Sequence, residues 1–490
     1  MNQLICLNEI KNLKRERLLW LVLAVTVCFS VLALYNGARW AEVQSQVVAA
    51  AQQEQQQAIS SARQGLAKRQ ALTKPVNWWD DVYDLRGQAF YLMVNYAVKP
   101  PLPSAAMAVG QSDVQPYFFR MLVSEKQAFI NHYDFAHPLG LLLGKFDLAF
   151  FIIYILPVLL ISMSYNALAG EKQTGQLRLL MLQGLSPMRL IFNQLCIRTS
   201  VVSLPLLLVC ITGFFILSDN IGLLSVSVFT VLVLAYSLFW LALCAFVISY
   251  GKTPAYNAAV LIVTWLSLII ILPAVLNTLI LTSDPAPSRI EYVDTLRDKS
   301  DEVDKSSSKA LAQFFQDHPE LAKPVDDAKP VDYATKKIAK ITAIEAAMQP
   351  YDDAFQSVLA AQQDRAELLK MISPASLLQG ALFDLSGNGL KRHQEFIDQV
   401  LAHHHALRAF YQQRIAEANS RDDFTPCAGC NARITLPDLS QVPEFSYREA
   451  PLDVSWGSIM LLLLFSFVLL FSARQRLTLM NSGQMLGEPA

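Results

Sequence analysis

The stretch LLSVSVFTVLVLAYSLFWLALCAFVISY, residues 223–250, decides the fold class, because it runs for 28 residues without a charged side chain. A helix needs about 20 predominantly apolar residues to cross the hydrocarbon core of a bilayer. Five further stretches meet this requirement, and the full set is 18–37, 146–168, 190–217, 223–250, 256–281 and 454–473. The sequence therefore predicts an all-α polytopic membrane protein with six transmembrane helices.

The overall composition supports the same class of protein. Of the 490 residues, 53% are hydrophobic and 17% are charged, whereas about a quarter of the residues in soluble domains are charged. Lys and Arg number 40 and Asp and Glu number 41, so the formal net charge is −1. This balance excludes a polybasic nucleic-acid binder and a strongly acidic tail protein, and we expect no nucleic-acid partner.

Basic residues near the ends of the six stretches predict the orientation of the chain. These residues are Lys11, Lys14, Arg15, Arg17, Lys172, Arg178, Arg189, Lys252, Arg474 and Arg476. With six spans they all fall on one side of the membrane, and basic loops favour the cytoplasm. We therefore expect a multi-pass protein of the bacterial inner (cell) membrane with both termini cytoplasmic. Residues 1–17 then form an amphipathic helix on the inner leaflet, 474–490 form a cytoplasmic tail, and 38–145 and 282–453 form two extracytoplasmic loops.

The two long loops carry helix-forming patterns. Residues 41–72 are rich in Gln and Ala, which favours a helix that continues the first span, with a disordered segment as the alternative. In the second loop, prolines separate helical patterns at 288–316, 332–371 and 390–418, and residues 422–449 suggest short strands or turns. We expect a mostly helical extracytoplasmic domain built from both loops.

The connection between the second and third spans, residues 169–189, is the most informative cytoplasmic stretch. Its sequence AGEKQTGQLRLL, residues 169–180, combines a short charged helix with an apolar one. The Gly-Leu-Ser-Pro sequence at 184–187 then predicts the turn that begins the third span. A surface helix with nothing of its own to bury suits the groove of a partner protein. The alternative interpretation is a simple connector.

Four short motifs carry a resemblance to a known family. The first is this connection, in which an acidic residue is followed by Thr-Gly-x-Leu, a leucine run and a proline turn, with Gln176 as a departure from the usual pattern. The others are VGQSDVQPY at 109–117, HPL at 137–139 with GKFDLAF at 144–150, and SPA at 373–375 with RHQEF at 392–396. Their order among six helices resembles type-2 ABC transporter permeases, in the branch with large extracytoplasmic loops and a domain of unknown function.

The resemblance implies the membrane (permease) subunit of an ATP-driven ABC transporter. Such a chain pairs with a second permease chain, identical or related, on a dimer of cytoplasmic ABC ATPases that binds ATP and Mg²⁺. The chain contains no Gly-x-x-x-x-Gly-Lys-Ser/Thr motif, so we expect it to be non-catalytic and to bind no cofactor itself. ATP hydrolysis then drives either substrate export between the spans or mechanical work on periplasmic proteins.

The resemblance also implies which residues couple the chain to the ATPase. They are Glu171, Lys172, Thr174, Gly175, Gln176 and Leu177. We expect Glu171 to pair with a basic residue of the ATPase. We expect Gly175 to permit close approach of the two backbones.

Cysteine and histidine residues raise a rival function. Cys427 and Cys430 form a Cys-x-x-Cys pair in the second loop, which is compatible with a local disulfide, half of a metal site or a redox-active dithiol. A membrane-anchored periplasmic redox or metal-handling protein is therefore the alternative function. Residues His403, His404 and His405 are consecutive, and on a helix they spread over about 200° and cannot all reach one ion. We predict no metal site there.

Overall fold

The structure is a computed structural model. It describes residues 2–68, 77–81, 84–93, 95–124, 126, 145–173, 175, 177, 179, 186–218, 220–319, 331–421, 441–451 and 454–479. Among these residues, six helices are long and apolar enough to cross a membrane: Arg17–Gln64, Leu148–Gln173, Met188–Leu217, Leu223–Ile248, Pro254–Ser283 and Trp456–Thr478. The predicted all-α polytopic class is thereby confirmed, and the chain is a membrane protein.

The helices and strands are numbered in chain order. The helices are α1 (Asn2–Arg15), α2 (Arg17–Lys68), α3 (Leu156–Ser164), α4 (Ala169–Gln173), α5 (Pro187–Leu217), α6 (Leu223–Ile248), α7 (Pro254–Leu266), α8 (Leu272–Ser283), α9 (Arg289–Lys305), α10 (Ser307–Asp317), α11 (Tyr333–Leu369), α12 (Pro374–Ser386), α13 (Leu390–Arg421) and α14 (Trp456–Leu479). Strands β1 (Asn95–Val98) and β2 (Phe118–Met121) pair antiparallel, with Asn95 opposite Met121. Short helical turns occupy Trp78–Asp80, Leu85–Gly87, Ala105–Met107, Leu148–Phe150 and Lys370–Ile372, and π-helical turns occupy Gln88–Leu92, Phe151–Ile155 and Ser267–Ile271.

Six crossings give the membrane region two distinct ends. We call the end with both chain termini the terminal side, and the other end the domain side. The term loop domain denotes residues 38–145 and 284–453, which leave the membrane region on the domain side. On the terminal side, the guanidinium of Arg476 near the end of α14 stacks on the ring of Tyr250 just after α6, 3.7 Å from its centroid.

Helix α6 is the centre of the membrane region. Of its most apolar window, 78% is buried, against 17% for the span formed by α7 and α8. Its large aromatic residues Tyr236 and Trp240 are fully buried, and α6 packs against α3, α5 and α14. The fifth span therefore leaves most of its apolar surface to lipid or to a partner within the membrane.

A π-helical turn interrupts the second span just before a proline. Pro157 has no N–H to donate to the carbonyl of Ile153, four residues earlier. The hydroxyl of Tyr236 donates to this carbonyl instead, at 3.1 Å. Similarly, the indole of Trp265 donates to the carbonyl of Tyr154 at 3.2 Å. Neighbouring helices thus satisfy the backbone groups that the break would leave open inside the membrane.

The loop domain is built on the first span. Helix α2 runs for 52 residues without interruption, which confirms the predicted helical continuation beyond the membrane. Its distal residues Ile59 and Ala62 join a hydrophobic core with Phe90, Ile338 and Tyr411. A single helix of about 78 Å, at 1.5 Å per residue, therefore connects the terminal side with the core of the loop domain.

Other elements of the loop domain agree with the sequence prediction only in part. The helices predicted at 332–371 and 390–418 correspond to α11 and α13. The single helix predicted at 288–316 is instead two helices, because Ser306 leaves helical geometry at φ −109° and ψ 27°. Short strands or turns were expected in 422–449, and its described part, 441–449, is irregular and contains no strand.

Helix α12 is a feature that the sequence prediction missed. The hydroxyl of Ser373 accepts a hydrogen bond from the backbone N–H of Ser376, and Pro374 occupies the first turn. Gly387 ends the helix at φ +71°. These are ordinary start and stop signals of a helix. The buried residues Leu378 and Leu382 join the core of the membrane region, so α12 closes its domain side.

Candidate functional site

The connection between the second and third spans lies on the terminal side, and we call residues 169–186 the connector. It begins after a sharp turn at Leu168, which has a left-handed φ of +60°, and Gly175 also has a left-handed φ of +75°. Leu177 is 2% exposed, whereas Leu179 is 63% exposed. Of the expected coupling residues, Thr174 and Gln176 lie outside the described residues. Leu177 therefore lies in the protein core, and Leu179 is accessible to solvent or to a partner.

Glu171 is directed into the chain. The side-chain amide of Gln194 on α5 donates a hydrogen bond to its carboxylate, and the Glu171 side chain is half-buried. The electrostatic neighbours of Glu171 are Glu9 on α1 and Arg198 on α5. The sequence led us to expect this acid to face a partner, but it links the connector to the third span.

A buried ion pair lies beside Glu171. The guanidinium Nε of Arg198 is 2.8 Å from the Glu9 carboxylate, and a second guanidinium nitrogen donates to the carbonyl of Met163 at 2.6 Å. The amide of Gln194 also approaches the Glu9 carboxylate at 3.5 Å. We call Glu9, Glu171, Gln194 and Arg198 the polar junction. It joins α1, the connector and α5 through two carboxylates, one guanidinium and one amide.

Sequence reasoning missed three of these four residues, and two of them, Arg198 and Glu9, left a signal. Arg198 lies inside the apolar stretch 190–217, and an ionisable residue in a span needs a polar partner. Glu9 is the one acidic residue of α1. Neither residue indicates its partner in the sequence, because 189 positions separate the two along the chain.

Lys172 and Gly175 have different surroundings. The ammonium of Lys172 donates to the carbonyl of Gly251, in the link between α6 and α7, at 3.2 Å. No atom of the described residues lies within 4 Å of a Cβ built on Gly175. The positive φ therefore favours glycine there, and no described residue fills the space beside it.

Two polar clusters of the loop domain have a structural explanation. Arg408 forms a bidentate pair with Glu345 at 2.6 and 2.8 Å, and this pair lowers the pKa of the Glu345 carboxyl against the opposing effect of burial. His404 contacts the carbonyl of Ser124 at 2.9 Å. Burial lowers the pKa of His404 to about 4, and the Arg408 charge acts in the same direction. The buried imidazole is therefore neutral at physiological pH.

The second cluster contains the Arg-His-Gln-Glu-Phe motif at 392–396. Arg392 pairs with both carboxylate oxygens of Glu449 at 2.7 and 2.6 Å. The ammonium of Lys99 lies 5.6 Å from the centroid of the Phe396 ring. Burial lowers the pKa of Lys99 to about 7, with a further contribution from the charge of Arg392. Burial also lowers the pKa of His393 to about 4.

The described residues give no metal site for the alternative redox or metal-handling function. Within the described ranges, no group of three or more His, Cys, Asp or Glu side chains is placed to hold a metal ion. His404 is fully buried on the face of α13 that also carries Val400 and Leu407. Cys427 and Cys430 lie outside the described residues, so their pairing stays a prediction.

Comparisons with known proteins identify one part of the chain. A family model described as "Domain of unknown function (DUF3526)" matches residues 289–448, which include α9 to α13. No curated protein and no solved structure matches the chain. The match agrees with the expected domain of unknown function, and it does not extend over the six spans or the connector.

Proposed function

We propose that this chain is the membrane (permease) subunit of an ATP-driven ABC transporter. The observation that carries the proposal is the construction of the connector. Of its described residues, Gly175 and Leu179 are exposed, while the Glu171 carboxylate accepts a hydrogen bond from Gln194 of the third span. A short segment that is exposed to a partner and also bonded to a span can transmit a movement of the partner to that span.

The proposed partner is a dimer of cytoplasmic ABC ATPases, which binds ATP and Mg²⁺. In this assignment the terminal side is cytoplasmic and the membrane is the bacterial inner membrane, in line with the basic residues at the span ends. A second permease chain, identical or related, completes the transporter. The chain itself contributes no catalytic group and transmits the movement of the ATPases to its spans.

The structure supports a revised division of roles among the coupling residues. Leu179 is the apolar contact for the ATPase groove, and Gly175 permits the turn that presents it. Glu171 acts from within the chain, because its partner Gln194 lies on α5. Lys172 extends the connection to the link between α6 and α7 through Gly251. Movement of the connector then reaches the third, fourth and fifth spans.

Helix α2 offers a route from the connector to the loop domain. The polar junction ties α5 to α1, α1 leads into α2, and α2 continues into the core of the loop domain. Rotation of the third span therefore moves the loop domain as well. This route fits mechanical work on periplasmic partners as well as substrate export, and the substrate class stays open between the two.

Site-specific photocrosslinking in cells tests the proposal. A photoreactive amino acid replaces Leu179 in the full chain, and the matched control places it at Ile290, which is exposed on α9 of the loop domain. We expect a crosslink from position 179 to a protein with ATP-binding motifs, and none from position 290. Crosslinks from 179 that contain no nucleotide-binding protein, or an ATPase captured equally from 290, contradict the assignment.

A further inference from the structure

A pocket of about 260 Å³ lies where the first span leaves the membrane region on the domain side. It is lined by Asn36, Arg39, Trp40, Val43, Lys145 and Phe146. The first four belong to α2, and the last two directly precede the second span. Neither the connector nor the polar junction contributes to it, so its role is independent of ATPase coupling.

The depth of the pocket corresponds to the headgroup region of a bilayer. The apolar stretch of the first span ends at residue 37, and the second span begins at Leu148. Tyr35, one turn before Arg39, is exposed, and Trp40 lines the pocket wall. Tyr and Trp side chains are enriched where hydrocarbon meets the polar headgroups. The pocket therefore opens at the level of phospholipid phosphates.

The pocket carries two positive charges that none of the described residues neutralises by direct pairing. In the part of the chain that the structure describes, neither Arg39 nor Lys145 is within ion-pair distance of a carboxylate. The guanidinium of Arg39 reaches the hydroxyl of Tyr35 at 3.5 Å, and the ammonium of Lys145 lies over the ring of Trp40. Asp113 attracts Lys145 from a greater distance. The other nearby acid, Asp147, is occupied by the backbone N–H groups of Val109 and Phe150, so both cations remain available to a bound anion.

Hydrogen bonds hold the walls of the pocket in place. The amide of Asn36 donates to the carbonyl of Phe146 at 3.0 Å, which fixes the first span against the start of the second. The indole of Trp40 donates to the hydroxyl of Ser112 at 2.8 Å. Asp147 accepts from the backbone N–H of Val109 at 2.8 Å. A ligand therefore meets a largely preformed site and orders few side chains on binding.

We propose that this pocket binds the phosphate of an anionic membrane phospholipid, with Arg39 and Lys145 as its ligands. Charge-assisted hydrogen bonds from a guanidinium and an ammonium are the usual contacts of a phosphate. Val43 and Phe146 supply an apolar wall for the glycerol and the first methylenes of the acyl chains. A zwitterionic lipid brings its own cation to a site that already presents two cations, so the pocket discriminates in favour of a net negative headgroup.

Native mass spectrometry of the full chain in detergent micelles tests the site, with phosphatidylglycerol, phosphatidylcholine and inorganic phosphate as probes. We expect phosphatidylglycerol to be retained in preference to phosphatidylcholine. The double variant Arg39→Gln/Lys145→Gln should bind phosphatidylglycerol about 30-fold more weakly, as expected for the loss of two interfacial cations. The charge-preserving variant Arg39→Lys/Lys145→Arg should keep most of the binding, which separates charge recognition from a folding defect.

The matched control removes the same two charges elsewhere in the loop domain. Arg63 and Lys309 are exposed and lie outside the pocket, and Arg63→Gln/Lys309→Gln should leave lipid retention unchanged. Equal loss in this control overturns the proposal in favour of a general charge effect. Equal retention by the wild type and the pocket variant overturns it directly. Inorganic phosphate that displaces phosphatidylglycerol at similar concentration identifies a site for free anions and overturns the lipid assignment.

Discussion

Removal of Arg198 should release α1 from the membrane region. The side chains of Arg198 and Glu9 are only 12% and 6% exposed, so the variant Arg198→Gln leaves the Glu9 carboxylate buried without its cation. Breaking a buried pair in this way costs about 3–5 kcal/mol. We take the lower end, about 3 kcal/mol, because water at the membrane surface can approach the junction. This value corresponds to a shift of about 100-fold in the equilibrium between docked and released α1.

Cysteine labelling measures this release. Leu13 on α1 is 1% exposed, so a cysteine in its place reacts with a maleimide only when α1 opens, and the labelling rate follows the open population. In the Leu13→Cys background, Arg198→Gln should raise the labelling rate about 100-fold. The control Arg189→Gln removes an exposed charge from the same helix and should leave the rate unchanged.

A double variant separates the ion pair from general damage to the third span. In Glu9→Gln/Arg198→Gln the Glu9 charge is removed together with its cation, two neutral amides replace the pair, and Glu171 keeps its hydrogen bond from Gln194. Most of the protection of residue 13 should then return, because an unsatisfied buried charge costs more than the loss of both partners. A labelling rate that rises less than tenfold in the single variant, or a double variant no better protected than the single one, refutes the reasoning.

Three further predictions concern the connector and the loop domain. Replacing Gly175 by Val forces a β-branched residue into a left-handed conformation at a cost of about 1–2 kcal/mol, so the yield of crosslinks from position 179 to a partner should fall. Asparagine tolerates the left-handed region, so Gly175→Asn should keep the yield. Equal yields from the two variants exclude a role for the turn. The pKa of His404 falls from 6.5 to about 4 on folding, so between these pH values the imidazole is protonated in the unfolded chain and neutral in the folded chain. The free energy of unfolding should therefore drop by up to about 3 kcal/mol as pH falls from 6.5 to 4. Proteolysis of the full chain in detergent against pH measures this loss, and a His404→Gln profile identical to that of the wild type contradicts it. Arg408→Met should destabilise the loop domain by about 3 kcal/mol, because it leaves the buried Glu345 carboxylate without its cation. Glu345→Gln/Arg408→Met should recover most of this stability. A double variant as sensitive to protease as the single one shows that the ion pair does not account for the loss.

Local patterns made part of the architecture predictable. Each span is a long apolar run whose helical state follows from the lack of hydrogen-bond partners in lipid. The extension of α2 follows from the helix-forming composition of residues 41–68, with no proline to stop it. By contrast, the break at Ser306 and the pairing of β1 with β2 depend on neighbours distant in sequence. The signals for α12 at Ser373, Pro374 and Gly387 are local, so this helix was also predictable from the sequence.

The sequence located the connector between the second and third spans, and its coupling role stays a prediction. The connector stood out because charged and apolar residues alternate in a short loop between two spans. Its sequence suggested that Glu171 faces a partner, and the structure turns this acid towards Gln194. Left-handed residues at Leu168 and Gly175 lie on either side of α4 and redirect the chain, and helical periodicity cannot anticipate them.

The sequence by itself determined that the chain crosses a membrane six times and carries a mostly helical domain between its spans, because hydrophobicity and helix propensity act over neighbouring residues. Only the tertiary structure decided that Glu9 forms an ion pair with Arg198, that the Tyr236 hydroxyl donates to the carbonyl of Ile153, and that Arg39 and Lys145 line one pocket. These contacts join residues 189, 83 and 106 positions apart. Their geometry depends on how the helices pack, and no local pattern in the chain encodes it.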